Sequence, residues 1–240
     1  MITGKKLISF IFIPLAMASV SCSARIDGVL QTGGKADLVL QASLESRTTA
    51  LIRSLRNFVG DDTGAPTLDS QSINSSMGAA PGIRDVSLKN TGPSALEGSI
   101  ALSNVGDFLA SENAKSSLVT YAEGNGAGSS SIIIILDRDT IPVLVSKLSP
   151  DVEDYLSALM VPVVLGETST AKEYLDLVAS VYGRPLADEI AASRIRAFIE
   201  FPRPVTNVLG GKASGNRAEF DIPLLDIFAL EKPLRYEVNW

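Results

Sequence analysis

The chain has 240 residues, 21 basic and 27 acidic, a net charge of −6, and 45% apolar side chains. A surface this acidic repels phosphate backbones, which argues against nucleic acid as a partner, and a chain this long and apolar folds around a core. Histidine is absent and cysteine occurs once, which removes Ser-His-Asp and Cys-His catalysis, zinc sites built on His or Cys, and any intramolecular disulfide.

The first 22 residues set the frame. Lys5 and Lys6 precede an apolar run over residues 7–20, broken only by Ser9, Pro14 and Ser19, and Ser19-Val20-Ser21 leads into Cys22. Basic start, short apolar run and small-residue site are the layout of a secretory signal. The run falls short of the roughly 20 residues a transmembrane helix needs. Ending on a lone cysteine, this leader resembles a bacterial lipoprotein signal. Ser21 suits the pattern, whereas Ser19 stands where an aliphatic residue is preferred, a relaxed form similar to that of spirochaetes.

The resemblance implies that residues 1–21 are a signal peptide and that Cys22 carries the lipid, palmitate included. The body would then be tethered to a bacterial membrane and face the periplasm or the cell exterior. Ser23, in place of an aspartate, favours the outer membrane. Losing Lys5 and Lys6 leaves the mature chain more acidic still. The resemblance covers the leader and names no family for the body.

Beyond the leader, Ala24, Ile26, Gly28 and Leu30 alternate with Arg25, Asp27, Val29 and Gln31, and Ala36, Leu38, Leu40 and Ala42 line one face of a second strand after a glycine turn. Period two predicts a hairpin beginning almost at the lipid. From Glu45 the period changes: Thr48, Leu51, Ile52, Leu55, Phe58 and Val59 share a helical face that Gly60 ends. A short serine-rich helix with Ile73 and Met77 follows, then a hairpin over residues 85–102. Residues 105–110 fit a helical turn or a bent strand equally well.

Residues 118–121 and 132–136 predict a third hairpin. Its four isoleucines at 132–135 suit a strand covered on both faces, hence the central strand. Helices are predicted from Asp139 as cap, from Ser149-Pro150, over residues 170–182, and over 185–193. The end returns to strands at 195–201, 205–209 and 218–222, a helical turn at 224–230, and a last strand that buries Trp240.

Hairpins with segregated helices predict an α+β fold: an antiparallel or mixed sheet with helices packed on one side. The order suggests a ββ-αα-ββ pseudo-duplication with halves 24–104 and 115–240, inside one ectodomain of residues 22–240.

The chemical motifs are thin. Ser169-Thr170-Ala171-Lys172 fits the S-x-x-K spacing of acyl-serine enzymes, but no K-T-G follows, so Ser169 reads as a helix cap or loop residue and Lys172 as solvated. The glycine-rich stretch 124–128 enters a strand, whereas phosphate loops enter a helix, so it reads as a hairpin loop. Asp137-Arg138-Asp139 reads as local capping. No residue set asks for a metal or a cofactor, and no catalytic residue is assigned.

The apolar segment 156–165 is the one place where binding is expected. Leu156, Leu159, Met160 and Val163 either belong to a buried helix or line an apolar cleft for an acyl chain or an envelope protein. The sequence thus reads as a non-enzymatic lipoprotein of the cell envelope, anchored at Cys22, with a binding or structural role. The alternative is an envelope hydrolase using the Ser-Lys pair or carboxylates.

Overall fold

The computed structural model describes residues 23–59, 66–78, 80–112, 118–124, 129–141, 159–160 and 167–240. The described elements run β1 (Ser23–Leu30), β2 (Ala36–Ser43), α1 (Ser46–Val59), α2 (Ser70–Gly78), β3 (Ile83–Gly92), β4 (Ala95–Leu102) and α3 (Val105–Glu112). Then come β5 (Val119–Ala122), β6 (Ser131–Leu136), α4 (Ala171–Tyr182), α5 (Arg184–Ala192) and β7 (Arg194–Glu200). Last are β8 (Asn207–Leu209), β9 (Lys212–Ser214), β10 (Arg217–Pro223), α6 (Leu224–Ala229) and β11 (Leu234–Asn239). They form a seven-stranded sheet of order β3-β4-β2-β1-β7-β10-β9 and a four-stranded sheet of order β5-β6-β11-β8. The α+β class read from the sequence is the observed one.

β1 is the centre of the large sheet. It pairs antiparallel with β2 and parallel with β7. Its alternation is real: Gly28 and Leu30 are buried while Arg25 and Val29 are exposed. Gly28 lies opposite Leu38 on one side and Ile199 on the other. A Cβ there would come within 2.7 Å of the Leu38 side chain and 2.8 Å of Ile199, so the neighbours fill the space that glycine leaves. The inward face joins Tyr174 and Val178 of α4, Leu186 and Ile190 of α5, and Phe228 of α6 in one core. Among these, Tyr174 is fully buried. The outward face is wet, with Val29 and Val39 exposed.

The isoleucine run forms β6, which is flanked by β5 and β11 inside the small sheet. This corrects its expected place as the central strand. All four isoleucines are partly buried, which is what the β-branched run signals. Burial on both sides does not tell which sheet a strand joins, whereas β1 alternates because one of its faces meets water. Residues 105–110, undecided in the sequence, are helix α3. The ββ-αα-ββ order is present in the first half as β1β2-α1α2-β3β4. In the second half the strands divide between the two sheets.

The turn between β8 and β9 stitches the sheets together, since β8 pairs with β11 and β9 with β10. Gly210 has φ of 77°, a left-handed value that glycine adopts without strain. A Cβ on Gly211 would sit 2.5 Å from the Glu219 carbonyl oxygen and 2.7 Å from the Phe220 ring. Beside it, Phe220 of β10 meets Tyr236 of β11 edge-on at 5.8 Å.

Polar side chains close the exposed ends of the elements. Asn74 of α2 accepts from the Leu88 N–H at 2.9 Å and donates to the Leu88 carbonyl at 2.8 Å, covering the edge strand β3 as another strand would. The Glu189 carboxylate of α5 accepts from the main-chain N–H groups of Arg47 and Thr48 at 2.9 and 3.0 Å, and from the Thr48 hydroxyl at 3.2 Å. It therefore caps α1 from across the fold. Asp137 accepts from the N–H groups of Asp139 and Thr140 and its carbonyl takes the first helical bond from Ile141. The cap is thus two residues earlier than the Asp139 expected. The helix predicted from Ser149-Pro150 lies outside the described residues.

Replacing Glu189 by Ala is expected to cost about 1–2 kcal/mol, because three donors at the α1 terminus lose a charged acceptor. Urea unfolding should show a lower midpoint with unchanged slope, and a loss near zero would mean that the cap contributes nothing. Gly211→Ala is expected to cost about 1–3 kcal/mol through overpacking at the sheet junction. The same titration, beside Gly215→Ala as a turn control away from the junction, measures it.

Candidate functional site

A cavity of about 250 Å³ opens at one rim of the molecule, where five separate stretches converge. Gln31 and Thr32 come from the β1–β2 turn, Tyr121, Glu123 and Gly124 from the end of β5, and Ser130 from just before β6. Pro202 and Arg203 follow β7, and Trp240 follows β11.

Backbone pairing places these groups. The Ser130 N–H donates to the Trp240 carbonyl at 2.9 Å and the Trp240 N–H donates to the Ser130 carbonyl at 3.0 Å, extending the β6–β11 ladder by one pair. The Ser130 hydroxyl oxygen, in a residue 3% exposed, accepts from the Gly124 N–H and from Arg203 Nη2, both at 3.0 Å. Arg203 Nη2 also donates to the Trp240 carbonyl at 3.1 Å. The guanidinium is thereby fixed against the wall of the cavity. The Gly33 N–H donates to Glu123 Oε1 at 2.9 Å, tying the β1–β2 turn to the end of β5.

Three rings back the site. Trp240 lies 4.6 Å from Phe201 and 6.4 Å from Tyr121, centroid to centroid. Burial pushes the Tyr121 phenol above its ordinary pKa, and the Glu123 carboxylate adds to this by its charge and by accepting the phenol's hydrogen bond. The site thus offers a guanidinium, a carboxylate, an amide, hydroxyls and aromatic faces. Among the described residues no group of three or more His, Cys, Asp and Glu stands ready to hold a metal.

The residues singled out in the sequence fall elsewhere. Leu159 and Met160 are 2% and 1% exposed and belong to the main core. Leu156, Val163 and Cys22, the residue expected to carry the lipid, lie outside the described residues. The cap of α4 is Thr170 rather than Ser169: its hydroxyl accepts from the Glu173 N–H, and Glu173 returns the bond to the Thr170 N–H. Lys172 Nζ sits 2.6 Å from Asp176 Oδ2, and that hydrogen bond raises its pKa. A lysine acting as a base needs the opposite shift.

Sequence reasoning missed Tyr121, Glu123 and Arg203. No spacing links the first two to Arg203, because Tyr121 and Glu123 arrive at the end of β5 and Arg203 after β7, and only the pairing of strands brings them together. The burial of Trp240 was the one legible sign.

Tyr121 is expected to ionise later than a free phenol, and Glu123→Gln should bring its pKa down part of the way, leaving the burial contribution. Ultraviolet titration of the tyrosinate band, with Tyr121→Phe for assignment, measures both. An unchanged pKa in Glu123→Gln would show that the carboxylate does not face the phenol in solution.

No helix among the described residues is long and apolar enough to cross a membrane. No protein-family model matches the chain, and no curated protein matches it. Among solved structures, the NMR structure of the folded domain of LppM from Mycobacterium tuberculosis aligns with a TM-score of 0.37 and 10% identity, over 92% of this chain and 89% of that one. A likeness that slight leaves the site to be read from its own residues.

Proposed function

We propose that this chain is a lipid-anchored protein of the bacterial envelope with a non-enzymatic binding role, tethered through Cys22 and acting as one body over residues 22–240. The observation that carries the reading is the position of Cys22. It ends a leader of signal type and stands one residue before β1, the central strand of the large sheet. A lipid there holds the folded body at the membrane with no stalk between them. The outer membrane is the favoured site, on the identity of Ser23.

Binding is favoured over catalysis by the chemistry of the candidates. Lys172 is engaged with Asp176, Asp137 caps a helix, and the polar groups of the cavity hold one another in place. The burial of Leu159 and Met160 supports a packing role for these two residues, so the cavity beside Trp240 is the better place for a ligand.

Cys22→Ala is expected to abolish incorporation of labelled fatty acid and to leave an unprocessed or soluble product. A mutant that still takes up label and partitions into detergent would overturn the lipoprotein reading. Turnover of an esterase, peptidase or glycosidase substrate that is lost in Lys172→Ala or Asp137→Asn would favour a hydrolase instead.

A further inference from the structure

The cavity beside Trp240 discriminates between ligand classes. For an anion, the guanidinium of Arg203 shares the cavity with the carboxylate of Glu123, and its Nη2 is turned into the wall toward Ser130 and Trp240. For an acyl chain, Gln31, Thr32, Glu123 and Ser130 are the wrong lining, since an apolar guest strips water from polar groups and returns no hydrogen bond. For a free amino acid, the site would have to present both charges. Arg203 Nη2, which would meet the ligand's carboxylate, is already given to Ser130 and Trp240.

An uncharged, hydroxyl-rich ring meets none of these objections. Its hydroxyls both donate and accept. A carboxylate has about four lone-pair positions, so Glu123 keeps capacity after its bonds within the protein. The ring's C–H groups, weakly positive, suit the negative face of an aromatic side chain, and half-buried Tyr121 supplies one. At about 250 Å³ the cavity lies below the roughly 300–1,000 Å³ of pockets for drug-sized ligands, which suits a single sugar unit.

We propose that the cavity lined by Gln31, Tyr121, Glu123, Arg203 and Trp240 is a binding site for a neutral saccharide, one pyranose ring at a time. This deepens the binding role proposed above and does not need the lipid. Trp240 is the single tryptophan of the chain, so its fluorescence reports directly on the site.

The full chain, in a detergent without a sugar headgroup, is titrated with glucose, galactose and N-acetylglucosamine, with ligand-observed saturation-transfer NMR in parallel. The expected result is a saturable response to at least one of the three, weakened roughly tenfold by Glu123→Gln through loss of a charge-assisted hydrogen bond. Tyr121→Phe, which keeps the ring, should weaken it less than Tyr121→Ala. Absence of a saturable response to all three sugars by both methods overturns the proposal. So does saturable binding of inorganic phosphate, a free amino acid or oleate at this site in place of the sugars. The same titration on Cys22→Ala separates failure of the tether from failure of the site, since the saccharide response is expected to be unchanged there.

Discussion

The parallel pairing of β1 with β7 is the contact on which the rest of the structure depends. Its register runs from Ser23 opposite Arg194 to Val29 opposite Glu200, and every other pairing among the described strands is antiparallel. Without it, β1 to β4 would be one small sheet and the late strands another, each with an open edge. With it, strands from both ends of the chain share one apolar face, over which α4, α5 and α6 form a common core. A parallel pair needs a long crossover, and here most of the chain lies between the two strands. The pairing is therefore as stable as the packing of what it encloses, and Glu189, which joins α5 to α1, secures part of that enclosure.

Parallel strands also end on the same side, and this makes the cavity. The turn after β1 brings Gln31 and Thr32 beside Pro202 and Arg203, which follow β7. Antiparallel neighbours would have sent these connections to opposite rims. Ligand sites in α/β sheets gather at the carboxyl ends of strands for the same reason. The small sheet supplies the other wall, held in place through the β8–β9 turn and the Phe220–Tyr236 contact. The outward face of the large sheet is stabilised differently. Arg25 is bound by Asp27 at 2.6 Å and lies over the Phe198 ring, with Arg217 on the same ring. The Arg25 hydrogen bond, partly offset by desolvation, draws the Asp27 pKa below its ordinary value. Both partners are exposed, so the pair adds little stability.

What was legible in the sequence is what depends on local pattern. Alternation marks β1, β2, β7 and β10, because each shows one face to water. The 3.6-residue period marks α1 and α4, and glycine at 183 ends α4 where expected. Capping was legible as a class but not to the residue: Thr170 and Asp137 do what was assigned to Ser169 and Asp139. Neighbouring Ser, Thr and Asp compete for the same orphan N–H groups, and geometry chooses among them. The place of the isoleucine run was not legible, since sheet membership is decided by distant partners. Nor was the cavity, whose residues are spread from Gln31 to Trp240.

With the lipid on Cys22, as proposed, β1 becomes a spacer with a direction. Ser23 begins it next to the anchor, and Leu30 ends it at the turn that lines the cavity. Eight residues at about 3.3 Å each span roughly 26 Å. The cavity thus sits at the far end of the central strand from the proposed anchor. A site for the protein's own membrane would belong at the Ser23 end, among β1, the end of β2 and the start of β7. The lining at the cavity end, with Gln31, Thr32, Glu123 and Ser130, suits a hydroxyl-rich ligand better than an acyl chain, because an apolar guest would strip water from those groups and return no hydrogen bond.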